Sequence, residues 1–204
     1  MSALRLYEDA ALTSIVSLDG AFTNPDDESN LDGTAGETST KALWVAVEQT
    51  TLAADMDISQ TTVTLTAARF ADTGHPVIII GSEKMLVTAG GGTTTLTVSR
   101  GHDSTTKATH DEDDAVYLAY NCSDISIDCT DNSGTDESGW VTYCDDDGLG
   151  AADGSWEAPH SISNLNYNQN AAIWRQLIVP ALTDAAYKID LVHQLTCDIA
   201  EYSA

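Results

Sequence analysis

Two neighbouring loops concentrate carboxylates that could hold a metal ion. The first loop contains Asp128, Asp131 and Asp136, and the second contains Asp145, Asp146, Asp147 and Asp153. Hard cations such as Ca²⁺ and Mg²⁺ take several oxygen ligands, which acidic loops can supply, although neither loop has the spacing of an EF-hand. The candidate ligands of Ca²⁺, Mg²⁺ or other salt cations are Asp128, Asp131, Asp145, Asp146, Asp147 and Asp153. Solvated acidic loops are the competing interpretation, and the acidity of the whole chain favours it.

A second set of chemical groups lies between Glu83 and His110. Glu83, Arg100, His102 and His110 supply an acid, a cation and two bases, which are the groups of a catalytic set. The interpretation we favour is a cross-strand ion pair between Glu83 and Arg100, with the histidines in or beside a solvated loop. Neighbours in sequence such as His102 and Asp103 cannot fold back into the geometry of a catalytic triad.

The sequence lacks the motifs of the common enzyme classes. It has no Gly-x-Ser-x-Gly elbow, no phosphate loop, no His-Glu-x-x-His and no dinucleotide fingerprint. A glycosidase needs two well-placed carboxylates, which so acidic a chain always offers, and that class stays as an alternative. We predict a protein without enzymatic activity.

The cysteines leave the redox state open. Cys122, Cys129, Cys144 and Cys197 lack the Cys-x-x-Cys spacing of many zinc sites. A disulfide between two of the first three and buried free thiols are both compatible with the sequence.

The charge of the chain is strongly negative. It has 32 acidic residues, 23 of them aspartate, against 8 basic ones, and its formal net charge is −24. At about 1 M salt the Debye length falls to roughly 3 Å, which screens the self-repulsion of such a chain. The composition predicts a halophilic host; a cation-binding protein and a module with a basic partner are the alternatives. We expect no nucleic-acid partner, because phosphate contact needs clusters of Lys and Arg.

Short segments of strand length alternate with turn residues along the chain. They cover residues 4–7, 15–18, 42–47, 56–59, 61–65, 85–87, 96–98, 125–128, 140–143, 172–180 and 186–193. Short strands at this spacing predict an all-β sandwich or barrel. No apolar run approaches the roughly 18 residues of a membrane span, and no signal peptide is visible, so we expect no membrane insertion.

The most distinctive pattern covers residues 78–118. Its parts are Gly81-Ser82-Glu83, a strand at 85–87, three glycines at 90–92, Leu96-Thr97-Val98, Arg100-Gly101 and a polar loop ending at His110. This layout resembles a β-module of structural proteins of tailed viruses. The match departs at Ser104-Thr105, where the module more often has Gly-Thr. The resemblance implies an architectural role for this segment.

The flanking segments carry a weaker resemblance. Residues 4–9, 43–45, 173–181 and 190–192 are similar to strands of an immunoglobulin-like β-sandwich in tailed-virus tail and virion proteins. The resemblance implies a discontinuous sandwich of residues 1–59 and 119–204, with residues 60–118 as an inserted small β-barrel-like module. Two β-domains in series are the alternative. We expect Trp44, Trp174 and Val179 to lie in the core.

The resemblances and the charge together imply a non-enzymatic structural component of a tailed virus that infects a halophilic archaeon. A tail-tip or baseplate protein is favoured, because such modules recur in tail proteins that meet the cell. A head-surface decoration or turret protein is the alternative, and a haloarchaeal cell-surface binding module is a more remote one. The expected partners are other virion structural proteins, copies of the same chain following particle symmetry, and the host cell surface. The expected location is the virion, assembled in the host cytoplasm and extracellular after release.

Overall fold

The computed structural model describes residues 3–17, 24–27, 31–70, 76–184 and 191–203. These residues form antiparallel strands and two short 3₁₀ turns, at His102–Ser104 and Ser138–Trp140, with no α-helix among them. The strands are β1 (Leu4–Tyr7), β2 (Glu37–Val47), β3 (Gln49–Thr51), β4 (Thr62–Thr64), β5 (Val77–Ile80), β6 (Glu83–Ala89), β7 (Thr95–Arg100), β8 (Ala115–Leu118), β9 (Tyr120–Asp131), β10 (Val141–Asp145), β11 (His160–Ile162), β12 (Asn170–Val179) and β13 (Leu191–Glu201). The predicted all-β class is confirmed. None of the described segments is a helix with the length and apolar character needed to span a lipid bilayer.

Two of the three sheets pack as a sandwich. The four-stranded sheet has the order β1-β2-β12-β10, and the three-stranded sheet has the order β11-β9-β13. Alternating residues of each strand point to one face of its sheet, and most of those that point inward are apolar, with Arg175 of β12 a charged exception. Leu43 of β2, Ile127 of β9 and Ile173 of β12 are fully buried in one hydrophobic cluster. The core of the sandwich lies between these two faces.

Strand alternation also decides the position of the tryptophans. Leu43 and Val45 face the core, so Trp44 between them lies on the opposite face of β2 and is half-buried. The same alternation leaves Trp174 of β12 half-buried. The expectation that both tryptophans lie in the core is wrong, whereas Val179 is buried as expected.

The third sheet takes all its strands from residues 49–118. Its order is β3-β8-β5-β6-β7-β4, and β6 and β7 form the predicted hairpin through the triple glycine. Gly90 has φ +82°, and a Cβ there would lie 2.2 Å from the carbonyl oxygen of Thr95, so the turn requires glycine. A register shift between Val87 and Ala89 adds a β-bulge, which bends a strand and increases its twist.

β5 lies at the centre of this sheet and is buried on both faces. Ile78 and Ile80 join the main hydrophobic cluster, while Val77 and Ile79 join a second cluster that includes Tyr117. A strand covered on both sides has no polar face, which is why its sequence is an uninterrupted apolar run.

The two flanks of the chain meet in one sheet. β1 and β2 precede the six-stranded sheet in sequence, and β10 and β12 follow it, yet these four strands belong to one sheet. β3 already belongs to the six-stranded sheet, so the change of sheet occurs before residue 60. The division into a discontinuous sandwich and an inserted module stays a prediction.

The strand predicted at residues 56–59 is a turn. Met56 forms an isolated bridge with His110, and the carboxylate of Asp57 accepts hydrogen bonds from the N–H groups of Ser59 at 2.6 Å and Gln60 at 2.8 Å. A side-chain acceptor of this kind offers the backbone an alternative to strand pairing.

Two other predicted strands fall partly outside the described residues. At 15–18 the described part contains an isolated bridge between Ile15 and Tyr7, and Leu18 is not described. At 186–193 the description begins at Leu191, from which β13 continues well past the predicted end.

Candidate functional site

The charged residues of the 78–118 pattern form a buried network. Glu83 opens β6 and Arg100 ends β7, so the hairpin brings their side chains together. Arg100 donates from Nε to Glu83 Oε1 and from Nη2 to Oε2, both at 2.6 Å, and His110 Nε2 donates to Glu83 Oε2 at 3.0 Å. The exposed fractions of the Arg100 and Glu83 side chains are 1% and 0%. The predicted ion pair is confirmed, and His110, expected beside a solvated loop, is a buried partner of the pair.

The remaining donors of Arg100 bind backbone carbonyls. Nη1 donates to the carbonyls of Asp57 at 2.8 Å and Gln60 at 3.0 Å, and Nη2 also donates to that of Ala108 at 2.5 Å. The guanidinium therefore joins the hairpin, the 57–60 turn and the loop that leads to His110. The side chains of Glu83, Arg100 and His110 are buried, and their hydrogen bonds hold these parts of the module together.

The network sets the ionisation of Glu83. Burial by itself would raise the pKa of this carboxyl group, because a charge is poorly solvated inside a protein. Hydrogen bonds from Arg100, the Ala108 N–H and His110, together with the charge of Arg100, outweigh burial and lower the pKa to about 2. Glu83 is therefore ionised at neutral pH.

A second buried network centres on Asp26. In the register of the four-stranded sheet, Lys41 of β2 lies opposite Arg175 of β12, which lies opposite Tyr143 of β10. Arg175 donates to both carboxylate oxygens of Asp26 at 2.9 and 3.1 Å, and Lys41 donates at 2.8 Å. His193 of β13 donates from Nε2 to Asp26 at 2.9 Å, and its Nδ1 shares a 2.6 Å hydrogen bond with the hydroxyl of Tyr143. One aspartate thus joins both sheets of the sandwich.

Burial would raise the pKa of Asp26, but the hydrogen bond from His193 and the charge of Arg175 outweigh it and hold the pKa well below its usual range. Sequence reasoning missed this network, because Asp26 lies in an acidic, turn-rich stretch where nothing distinguishes it from its neighbours. Arg175 could have indicated the network from the sequence, because it is a cation within the apolar strand pattern of β12. A buried cation of this kind requires a counter-ion.

A third ion pair joins the six-stranded sheet to the end of β13. The side chain of Lys84 is 1% exposed, and its ammonium group binds the carboxylates of Asp103 and Glu201 and the carbonyl oxygen of Tyr202. Among the described residues, His102, Asp103 and Glu201 are the group of three whose possible ligand atoms all lie within 4.8 Å of one another. Lys84 already supplies the positive charge beside Asp103 and Glu201, so we assign this cluster a structural role.

Of the aspartates predicted as ligands, Asp128 and Asp131 lie in β9 and not in a loop, and Asp145 ends β10. All six bond to nearby backbone or side-chain groups. Their carboxylates accept hydrogen bonds of 2.8 to 3.2 Å: Asp128 from the Cys129 N–H, Asp131 from the Ser133 and Glu137 N–H groups, Asp145 from His160 Nε2, Asp146 from the Gly148 N–H and the Trp174 indole, Asp147 from the Leu149 N–H, and Asp153 from the Ser155 N–H. All six lie in the described part of the chain, and no three of them converge as His102, Asp103 and Glu201 do. Cation binding by these six residues stays a prediction.

The four cysteines are free thiols. Cys122, Cys129 and Cys144 are buried, and Cys197 is half-buried. Of the two alternatives left open by the sequence, the structure has the buried free thiols. Burial and the neighbouring Cys197 raise the pKa of Cys122 to about 12, so its thiolate is scarce at neutral pH.

Comparisons of the chain with protein-family models, with curated proteins and with solved structures gave no match.

Proposed function

We propose that this protein is a non-enzymatic structural component of a tailed-virus particle, at the tail tip or baseplate, from a virus of a halophilic archaeon. Its task is to scaffold assembly through its β-sheets, with exposed loops available for host contact. Its partners are other virion structural proteins and further copies of the same chain.

The buried network around Glu83 carries this proposal. Glu83, Arg100 and His110 are polar members of the pattern that resembles the tailed-virus module; all three are buried, and Arg100 and His110 both bond to Glu83. Each of them fastens the hairpin to a loop or a turn, which is the work of an architectural module. The pattern therefore supports a scaffold rather than a reaction centre.

The charge supports the proposed environment. The acidic residues exceed the basic ones fourfold, and the aspartates of the 145–153 loop are mostly exposed. In concentrated salt the repulsion between such surface charges is screened over a few ångströms. A particle that functions in brine tolerates this surface, whereas the same surface repels itself in dilute buffer.

The test is to locate the protein on purified particles. Particles kept in high-salt buffer are labelled with a gold-conjugated antibody against this chain, and the same antibody pre-adsorbed with the purified protein is the control. Label at the distal end of the tail is the expected result.

Label over the head would refute the tail-tip assignment and make the protein a decoration or turret component. The virion assignment would be abandoned if intact particles and their dissociated proteins both lacked the chain, and a cell-surface module would then take its place.

A further inference from the structure

A cleft of about 280 Å³ lies beside β3, at one edge of the six-stranded sheet. Its polar wall includes Gln49, Thr50, Thr51, Thr66, Arg69 and Tyr117, and residues 11–13 also line it. Ligand pockets usually measure about 300–1,000 Å³, so this cleft suits a ligand of about one small ring.

Arg69 is the unusual member of this wall. Its guanidinium donates to the carbonyl of Ala68 at 3.2 Å, and it forms no ion pair with a carboxylate of the described residues. Its Nε is shielded from solvent and has no hydrogen-bond partner among the described residues. By contrast, the buried cations Lys84, Arg100 and Arg175 each bind at least one carboxylate.

The guanidinium of Arg69 indicates the chemistry of a ligand. Its Nε is shielded from solvent, so the Nη groups are the donors that a ligand in the cleft can reach. A half-buried guanidinium that pairs with no carboxylate of the described residues is available for an acceptor from outside the chain. The planar fork of arginine matches a carboxylate with two parallel hydrogen bonds.

The other groups of the wall suit hydroxyls and a ring. The hydroxyl of Thr66 lies 3.0 Å from those of both Thr50 and Thr51, which makes a row of groups that can donate or accept. The ring of Tyr117 is held edge to face against Tyr167, with 5.6 Å between the ring centroids. A fixed aromatic ring can pack against the C–H groups of a ligand, and the hydroxyls can hydrogen-bond to its O–H groups.

We propose that this cleft binds an acidic monosaccharide unit, a uronic acid. Its carboxylate pairs with Arg69, its hydroxyls bond to the threonine row, and its ring lies against Tyr117. This binding goes beyond the scaffolding role and does not depend on it, because the cleft is a property of the isolated chain.

The test is a titration of the purified protein, at constant ionic strength, with three probes followed by ligand-observed NMR. D-glucuronate presents the carboxylate and the hydroxyls, D-glucose presents the ring without the carboxylate, and acetate presents the carboxylate alone. Glucuronate is expected to bind at least about tenfold more tightly than either of the others, since a hydrogen-bonded ion pair contributes that much.

Two variants and a control place the binding in the cleft. Arg69→Met is expected to weaken glucuronate binding about tenfold or more, and Thr66→Val, which removes a hydroxyl without changing charge, to weaken it by a smaller factor. Lys107→Met removes the same charge from an exposed residue outside the cleft and is expected to bind glucuronate as the parent does. Unchanged melting temperatures would confirm that the variants are folded.

Three results would overturn the proposal. They are glucuronate binding that is undetectable at millimolar concentration, binding by Arg69→Met that equals the parent's, and equal binding of acetate and glucuronate. Labelling of particles is a separate measurement, so loss of this proposal would leave the proposed function untouched, and the reverse also holds.

Discussion

Replacing Glu83 by glutamine tests whether the buried network holds the module together. Glu83→Gln keeps the shape of the side chain but removes the charge that faces Arg100 and His110. Arg100 is then left as a cation at 1% exposure with no carboxylate partner within the described residues. Removing one member of a buried ion pair typically costs about 3–5 kcal/mol, because the other charge stays buried.

The pKa of Glu83 gives a second, independent value for the stability that its charge contributes. The difference between its ordinary pKa of 4.5 and the value of about 2 in the folded chain corresponds to about 3 kcal/mol. Because the folded-state pKa is the lower one, this stability is present above about pH 5 and is lost as the pH falls towards 2. The glutamine variant has no such group, so its deficit relative to the parent should shrink over the same range.

The assay is urea unfolding followed by tryptophan fluorescence, at constant molar KCl, across this pH range. Parent and variant are compared at each pH, which cancels the titration of the other carboxylates. Glu112→Gln is the matched control, because Glu112 is an exposed carboxylate in the same part of the chain; it should change the free energy of unfolding by less than about 0.5 kcal/mol. A deficit for Glu83→Gln below about 1 kcal/mol, or one that does not vary with pH, would refute this account of the network.

Three further expectations concern the second network, the thiols and the charge. Asp26→Asn should lower the free energy of unfolding by about 3–5 kcal/mol in the same urea assay, since it removes the negative charge of Asp26 from beside the buried Arg175; a near-neutral effect would contradict the Asp26 network. Cys122 and Cys129, whose burial raises the pKa of each to about 12, should resist iodoacetamide in the folded protein and react after unfolding in urea, as read by mass spectrometry; rapid labelling of the folded chain would argue against buried thiols. Diluting salt below about 0.2 M should lower the melting temperature markedly, and a melting curve unchanged from molar salt would refute the halophilic assignment.

Local patterns predicted much of the fold. The hairpin of β6 and β7 follows from strand-forming residues on either side of three glycines, and Gly90 must be glycine for steric reasons within a few residues of itself. The strand at Leu4–Tyr7 was found in the same way. The same reasoning fails where a nearby side chain competes for the backbone hydrogen bonds of a strand. The carboxylate of Asp57 does so and turns the chain where the apolar spacing suggested a strand.

The buried networks could not be predicted by local patterns. Asp26 and Arg175 are 149 residues apart, and Asp26 and His193 are 167 apart, so their contact depends on how two sheets pack. The ion pair between Glu83 and Arg100 could be predicted because both residues belong to one hairpin. Trp44 illustrates a different limit, since its size suggested the core while the alternation of β2 places it on the other face.

Hydrogen bonds made by aspartates in turns help to explain why this chain contains more aspartate than glutamate. Seven aspartates accept a hydrogen bond from the N–H two residues further on: Asp32, Asp57, Asp131, Asp136, Asp146, Asp147 and Asp153. This short loop closes with aspartate or asparagine and not with glutamate, whose extra methylene moves the carboxylate away. Turn geometry therefore contributes to the excess of 23 aspartates over 9 glutamates, whether or not the host is halophilic. Since asparagine preserves the turn without the charge, the exposed Asp32, Asp57, Asp136, Asp147 and Asp153 are positions where a negative charge can be removed while the loops keep their shape.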